Sequence, residues 1–154
     1  MEIRQATPFD IEEIFDIYQQ IAQKHFDNAP NAFNPPSQED KSFLLSKIQD
    51  DAWWFAVAES KGQIVGYAMA RLDRNETVPF LAKTLICRLN TIVVDQTVQA
   101  KGMGRALIEA CKSWAFESGA VEVRLEVMSF NEDAVGFYEH MGFETLSHTM
   151  NLKL

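Results

Sequence analysis

The sequence predicts an α/β protein, a mixed sheet with helices on both faces, in the order β-α-α-β-β-β-α-β-α-β. Three observations predict it. Period-two strand patterns flank a short turn near residue 61 and read as an antiparallel hairpin. A strand–helix–strand run from about 85 to 128 demands a parallel pair joined by a right-handed crossover. Several segments also carry apolar residues at three- and four-residue spacing, the mark of helices packed on a sheet.

Taken in order, residues 2–6 form a short strand. Thr7-Pro8-Phe9-Asp10 is a helix start, with Thr7 as N-cap, Pro8 at the first helical position and an acid three residues after the cap. Ile11, Ile14, Phe15, Tyr18, Ile21, Ala22 and His25 then share one helical stripe. Residues 27–36 are loop, because their prolines lack backbone donors and Asn and Asp favour local turns. Ser37 followed by Asp40 opens a second helix that runs to about Asp50. Strands Trp53–Glu59 and Gln63–Leu72 flank Ser60-Lys61-Gly62, where Gly62 suits positive φ. A polar stretch, 73–83, leads to a third strand over Leu85–Asp95. Gly104–Ser118 is a helix with Leu107, Ile108, Cys111, Trp114 and Ala115 on one face, stopped by Gly119. A strand over Val121–Met128, a helix over Glu132–Met141 and a final strand over Phe143–Leu154 complete the chain.

A length of 154 residues, with 47% hydrophobic and 23% charged, is an ordinary globular balance and favours one domain over 1–154. No apolar run is long enough to cross a bilayer, and Met1-Glu2-Ile3-Arg4-Gln5 is too polar for a secretory leader, so a cytoplasmic protein is the default expectation. Cys87 and Cys111 form no CxxC pair, and His25, His140 and His148 lack ligand spacing. The expectation is two buried thiols and no metal. The net charge of −8 would repel phosphates, which argues against a nucleic-acid partner, and it tolerates a cationic one such as an amine.

The most informative stretch is Gln99-Ala100-Lys101-Gly102-Met103-Gly104-Arg105. It follows a strand and opens a helix, so free backbone N–H groups converge there and the helix dipole favours an anion. Gly102 and Gly104 remove two side chains, and Lys101 and Arg105 reverse the local sign of an acidic molecule. A dinucleotide fingerprint would need a third glycine where Leu107 stands, and no Walker Gly-Lys-Ser/Thr occurs. By itself the stretch also reads as a plain strand-to-helix turn. A second motif spans Asn131 to Phe143, where Asn131 can cap a helix, Gly142 can end it, and Ala134, Phe137, Tyr138 and Met141 share a face.

Together the two motifs resemble the GNAT superfamily of acyl-CoA-dependent N-acetyltransferases. Gln99, Gly102 and Gly104 match the family's pyrophosphate loop; Asn131, Ala134, Tyr138, Gly142 and Phe143 match its later helix motif. The resemblance implies a GNAT-like fold whose parallel strands, Leu85–Asp95 and Val121–Met128, splay apart to hold acetyl-CoA. It implies that Ile92, Val93 and Val94 meet the pantetheine arm, with Val94 N–H as donor to the thioester oxygen, where attack develops negative charge. Residues 99–105 and Asn131 would complete the coenzyme site.

The chemistry implied is direct attack of a primary amine in a ternary complex, with no metal. A proton acceptor is needed because such an amine is mostly protonated at neutral pH. Glu126, in Leu125-Glu126-Val127, matches the base of the family's protein N-acetyltransferase branch; a solvated strand glutamate is the plain alternative. Asn90 stands where many members have an acid, which shifts weight to Glu126 or a water chain. Tyr138 is the implied general acid, a phenol protonated at neutral pH that can donate to the leaving thiolate and can also bind the coenzyme. Cys111, on an apolar stripe, is disfavoured as a nucleophile. Two rivals are a non-catalytic acyl-CoA-binding regulatory module of the same fold and an oligomeric interaction protein using Phe33, Phe80 and Leu81. Small-molecule and peptide amines both stay open as acceptors, as does a homodimer. In the resembling fold the acceptor is chosen by residues near 25–37 and 73–83.

Overall fold

The structure, a computed structural model, describes residues 1–98 and 102–154. A strand β1 (Glu2–Gln5) leads through a 3-10 turn (Pro8–Asp10) into α1 (Ile11–Asn28) and α2 (Gln38–Ile48). Strands β2 (Trp53–Ser60), β3 (Gln63–Asp73) and β4 (Ile86–Val94) follow, then α3 (Met103–Glu117), β5 (Val123–Arg124) and α4 (Glu132–His140). The five strands form one sheet in sequence order. All neighbours are antiparallel except β4 and β5, which are parallel.

The expected helix start at Thr7 forms as a 3-10 turn. Asp10 accepts the Thr7 N–H at 2.8 Å, and Arg4 grips the same carboxylate at 2.9 Å while holding Glu59 on β2 at 2.8 Å. The Arg4 guanidinium thereby keeps Asp10 below the usual carboxylate range. Helix α1 runs through Asp27 and Asn28, read above as loop. Asn28 donates back to Lys24 O at 2.8 Å and Gln23 donates to Asp27 at 2.8 Å, so polar side chains that could start a turn instead extend the helix. The β2–β3 turn is tighter than expected. Ser60 pairs with Gln63, and Lys61 and Gly62 both take positive φ, 53° and 76°, as a two-residue hairpin loop requires.

Two apolar layers sandwich the sheet. On one face α1 and α2 bring Ile14, Phe15, Ile17 and Leu44 against Phe55, Val57, Tyr67, Met69 and Val93. On the other, α3 lays Met103, Leu107, Ile108, Cys111 and Ala115 on Ala58, Ala68, Ala70, Cys87 and Leu89, with Phe137 and Tyr138 of α4 packed beside them. Small residues on β2 and β3 let α3 sit close. Full burial of Leu107 and Ile108 contributes roughly 1.5–3 kcal/mol each.

Two expected strands differ. Val121–Met128 shortens to Val123–Arg124, because its one ladder partner, β4, pairs with it only at Cys87 and Arg88. Phe143–Leu154 forms no strand at all: its pattern is strand-like, but no neighbouring strand stands beside it to complete a ladder.

Candidate active site

The opening between β4 and β5 has a local cause. Along β4 the register to β3 runs from Thr91 opposite Met69 to Leu89 opposite Ala70, leaving Asn90 as an extra, bulged residue. A bulge sharpens the twist of its strand. Pairing with β5 stops at Arg88, two residues earlier, so from Asn90 to Val94 strand β4 has a ladder partner on one side only. Asp95 N–H donates to Val65 O of β3 at 2.8 Å. Alternation then turns Val94 and Ile92 N–H to the opposite edge, into the slot, and turns Val93 back to β3. The side chains divide the same way, Val93 facing the α1 layer and Ile92 and Val94 the α3 layer. Of the three predicted residues, the slot therefore receives the backbone N–H of Ile92 and Val94.

Gly66 sets how closely β3 can lie here. A Cβ at that position would come within 2.8 Å of Val93 O and 3.4 Å of Leu107. Across the slot's far end Gln20 of α1 donates to Asp95 at 3.0 Å and accepts the Gln96 N–H at 3.1 Å. The strand's exit toward the glycine loop is thus pinned from α1.

Gln99, Ala100 and Lys101 lie outside the described residues. From Gly102 onward the loop is placed. Gly102 takes φ 88° at the N-cap of α3, and the helix starts with no side-chain cap and no acid in its first turn. Among the described residues a Cβ on Gly102 would meet nothing within 4 Å, and none caps the N–H groups of Met103, Gly104 and Arg105 with its side chain. Arg105 is exposed, whereas Met103 is buried in the core. Gly104 is different. A Cβ there would lie 3.0 Å from Cζ of Phe137, so its glycine is accounted for by α3–α4 packing.

Helix α4 brings in the second motif. Tyr138 is half-buried, edge-on to Phe143 at 5.7 Å between ring centroids, and burial pushes its phenol up to about 12. Asn131 occupies the N-cap position, but its side chain makes no cap hydrogen bond, contrary to the expected capping role. Its Oδ1 instead accepts from Lys24 Nζ of α1 at 3.1 Å. At the next residue, His25 Nδ1 lies 2.9 Å from Ile21 O, and its ring meets Phe33 and Phe130 edge-on at 4.9 and 5.2 Å. The end of α1 and the loop after it therefore wall the site beside Asn131. Glu126 is exposed, just beyond the last paired residue of β5.

The Acetyltransferase (GNAT) family matches this chain over residues 11–143. The chain belongs to the GNAT acetyltransferase family. It is similar to an N-alpha-acetyltransferase of Sulfurisphaera tokodaii, 28% identical over 92% of this chain and 79% of that protein. It also resembles an uncharacterized N-acetyltransferase of Bacillus subtilis, YhfO, 26% identical over 94% and 90%. Among solved structures, a tetramutant of the BH1408 protein from Bacillus halodurans superposes with a TM-score of 0.92 at 25% identity, over the full length of both chains. An aminoglycoside N-acetyltransferase, AAC(6')-Iy, solved with CoA shares the fold with a TM-score of 0.73 at 19% identity, covering 99% of this chain and 98% of that one.

In this N-acetyltransferase the two motifs stand beside the slot and at the start of α3. An unpaired strand edge and an uncapped helix start without acids suit a long, polar, anionic molecule. Cys111 is buried, with its sulfur 3.7 Å from that of Cys87. That contact and burial push its thiol up, which disfavours a thiolate nucleophile. Phe33 packs edge-on against His25, while Phe80 and Leu81 are exposed. A cavity of about 420 Å³ lined by Arg4, Asp51, Trp53 and Trp114 lies by β1 and β2, remote from this chemistry. Among the described residues no group of His, Cys, Asp or Glu is placed to hold a metal ion, and no helix is long and apolar enough to cross a membrane.

Sequence reasoning missed Lys24 and Gln20. Both sit on a helix whose polar positions carry no local sign of what they face. A lysine one residue before the last stripe position was the only available hint.

Proposed function

We propose that this enzyme transfers the acetyl group of acetyl-CoA to a primary amine by direct attack within a ternary complex, as one domain over residues 1–154. The observation that carries the reading is the departure of β5 from β4 after Arg88, with Val94 N–H turned to the open edge. Acetyl-CoA is the acyl donor; residues 99–105 hold its pyrophosphate, and Ile92, Val94 and Asn131 border its arm. The amine nitrogen attacks the thioester carbon, and Val94 N–H donates to the carbonyl oxygen as charge builds there. The amine's proton passes to Glu126, directly or through water, since Asn90 offers no basic group. As the carbon–sulfur bond breaks, the Tyr138 hydroxyl donates its proton to the departing sulfur.

The acceptor enters from the side walled by α1, His25, Phe33 and Phe130. A relative named as an N-alpha-acetyltransferase puts peptide α-amines beside small amines in the set to test. A cytoplasmic setting suits the adjacent free thiols of Cys87 and Cys111. The test is thiol release from acetyl-CoA across a panel of peptide N-termini, polyamines, amino acids and aminoglycosides. We expect amine-dependent release with at least one class. Coenzyme binding without turnover on any amine would overturn the proposed reaction.

A further inference from the structure

One face of α1 touches both walls of the slot. Gln20 and Lys24 stand four residues apart, about one turn of helix, so they project from the same side. Gln20 reaches the exit of β4, where it holds the Asp95 carboxylate and the Gln96 N–H. Lys24 reaches the start of α4, where its Nζ donates to Asn131 Oδ1 at 3.1 Å. The helix that walls the acceptor side is therefore tied to β4 and to α4 at once.

Lys24 spends its charge on a neutral partner. The chain carries 22 acidic residues against 14 basic ones, yet among the described residues Lys24 joins no ion pair. What the bond does fix is the sense of the Asn131 amide. An ammonium can only donate, so the end of the amide that faces it must be the oxygen. The NH2 end is thereby turned away from Lys24. Asn131 is only 8% exposed, and its backbone is already occupied. Its N–H donates to Met128 O at 2.9 Å and its carbonyl accepts from Val135 N–H at 3.0 Å. The side chain makes no cap hydrogen bond, and among the described residues nothing accepts from its NH2. A buried, oriented donor is left at the border of the slot.

We propose that Lys24 is a positioning residue for the coenzyme. It holds the Asn131 amide oxygen toward α1, so that the NH2 donates to an amide carbonyl of the pantetheine arm. This role rests on the coenzyme binding proposed above and adds the residue that orients one of its contacts. Without a donor at position 24 the amide can turn over, and its oxygen would then face the carbonyl that it should bind. A donor fixed beforehand also spares the cost of ordering that side chain when the coenzyme arrives.

Lys24→Met keeps the length and apolar packing of the stem and removes the ammonium. Calorimetry should be run with acetyl-CoA and with the phospho-ADP part of coenzyme A, which lacks the pantetheine arm. The variant should bind acetyl-CoA about 3- to 10-fold more weakly and the phospho-ADP fragment as wild type does. Retained fragment affinity also shows that the variant is folded. The same substitution made in Asn131→Ala should cost nothing further, because both residues act through one bond. Unchanged acetyl-CoA affinity in Lys24→Met overturns the proposal while leaving the coenzyme site in place. So does a loss that adds to that of Asn131→Ala, since Lys24 would then act apart from the amide. An equal loss for the fragment overturns it as well, because the arm would not be what Lys24 serves. Absence of acetyl-CoA binding in wild type would remove the coenzyme site itself, and this role with it.

Discussion

Gly104 and Phe137 meet so closely that a Cβ on the glycine would stand 3.0 Å from the ring's Cζ. The two glycines of the loop therefore differ in what a side chain would disturb. At Gly104 it pushes α4, and with it Tyr138, away from α3. At Gly102 it meets none of the described residues within 4 Å but must adopt a left-handed backbone, φ 88°.

This separation predicts two phenotypes. Gly104→Ala should lower stability by about 1–3 kcal/mol through overpacking, read as a drop in Tm of the coenzyme-free protein. It should reduce turnover more than acetyl-CoA affinity, because α4 carries the proposed acid. Gly102→Val should leave the fold recognisable by circular dichroism and weaken acetyl-CoA binding by calorimetry at least tenfold. Equal affinities for Gly102→Val and wild type would remove the pyrophosphate from this helix start.

Tyr138→Phe keeps the ring beside Phe143 and deletes one hydroxyl. Acetyl-CoA affinity should stay within a few-fold. Turnover should fall by about 10- to 10³-fold, in kcat and kcat/KM together, since the donated proton matters mainly in the transition state. Burial raises the phenol to about 12, so its neutral form persists past the ordinary tyrosine value near 10. The wild-type rate should therefore show no loss from this group as pH rises through 10. A wild-type alkaline limb near 10 that vanishes in the phenylalanine variant would contradict the burial seen here.

Glu126→Gln removes the proposed proton acceptor from an exposed position beyond β5. The rate should drop by ~10²–10⁴-fold near neutral pH and recover in part at alkaline pH, where free amine no longer needs a base. Thiol-release rates across pH 6–9 make the check. Matching profiles for variant and wild type would leave Glu126 a solvated strand residue and give the proton to a water chain.

Much of this molecule can be read in the sequence because the signals are local. The hairpin at Lys61-Gly62, the β4–α3–β5 crossover and the stripe from Leu107 to Ala115 depend on periods and caps contained within a few turns of chain. The two motifs placed the coenzyme-site candidates on a helix start and on α4 for the same reason. Only the tertiary structure decided what those segments face. The slot opens where it does because Asn90 is squeezed out of register with β3, and no window of sequence contains both strands. Gly104 answers to Phe137, 33 positions along the chain. Asn131, whose position suggests a cap, instead accepts from Lys24, which lies 107 residues away. The segment from 145 to 154 has a strand's alternation but no ladder, because alternation specifies which side wants burial, and a strand exists only when a second backbone is there to receive its hydrogen bonds.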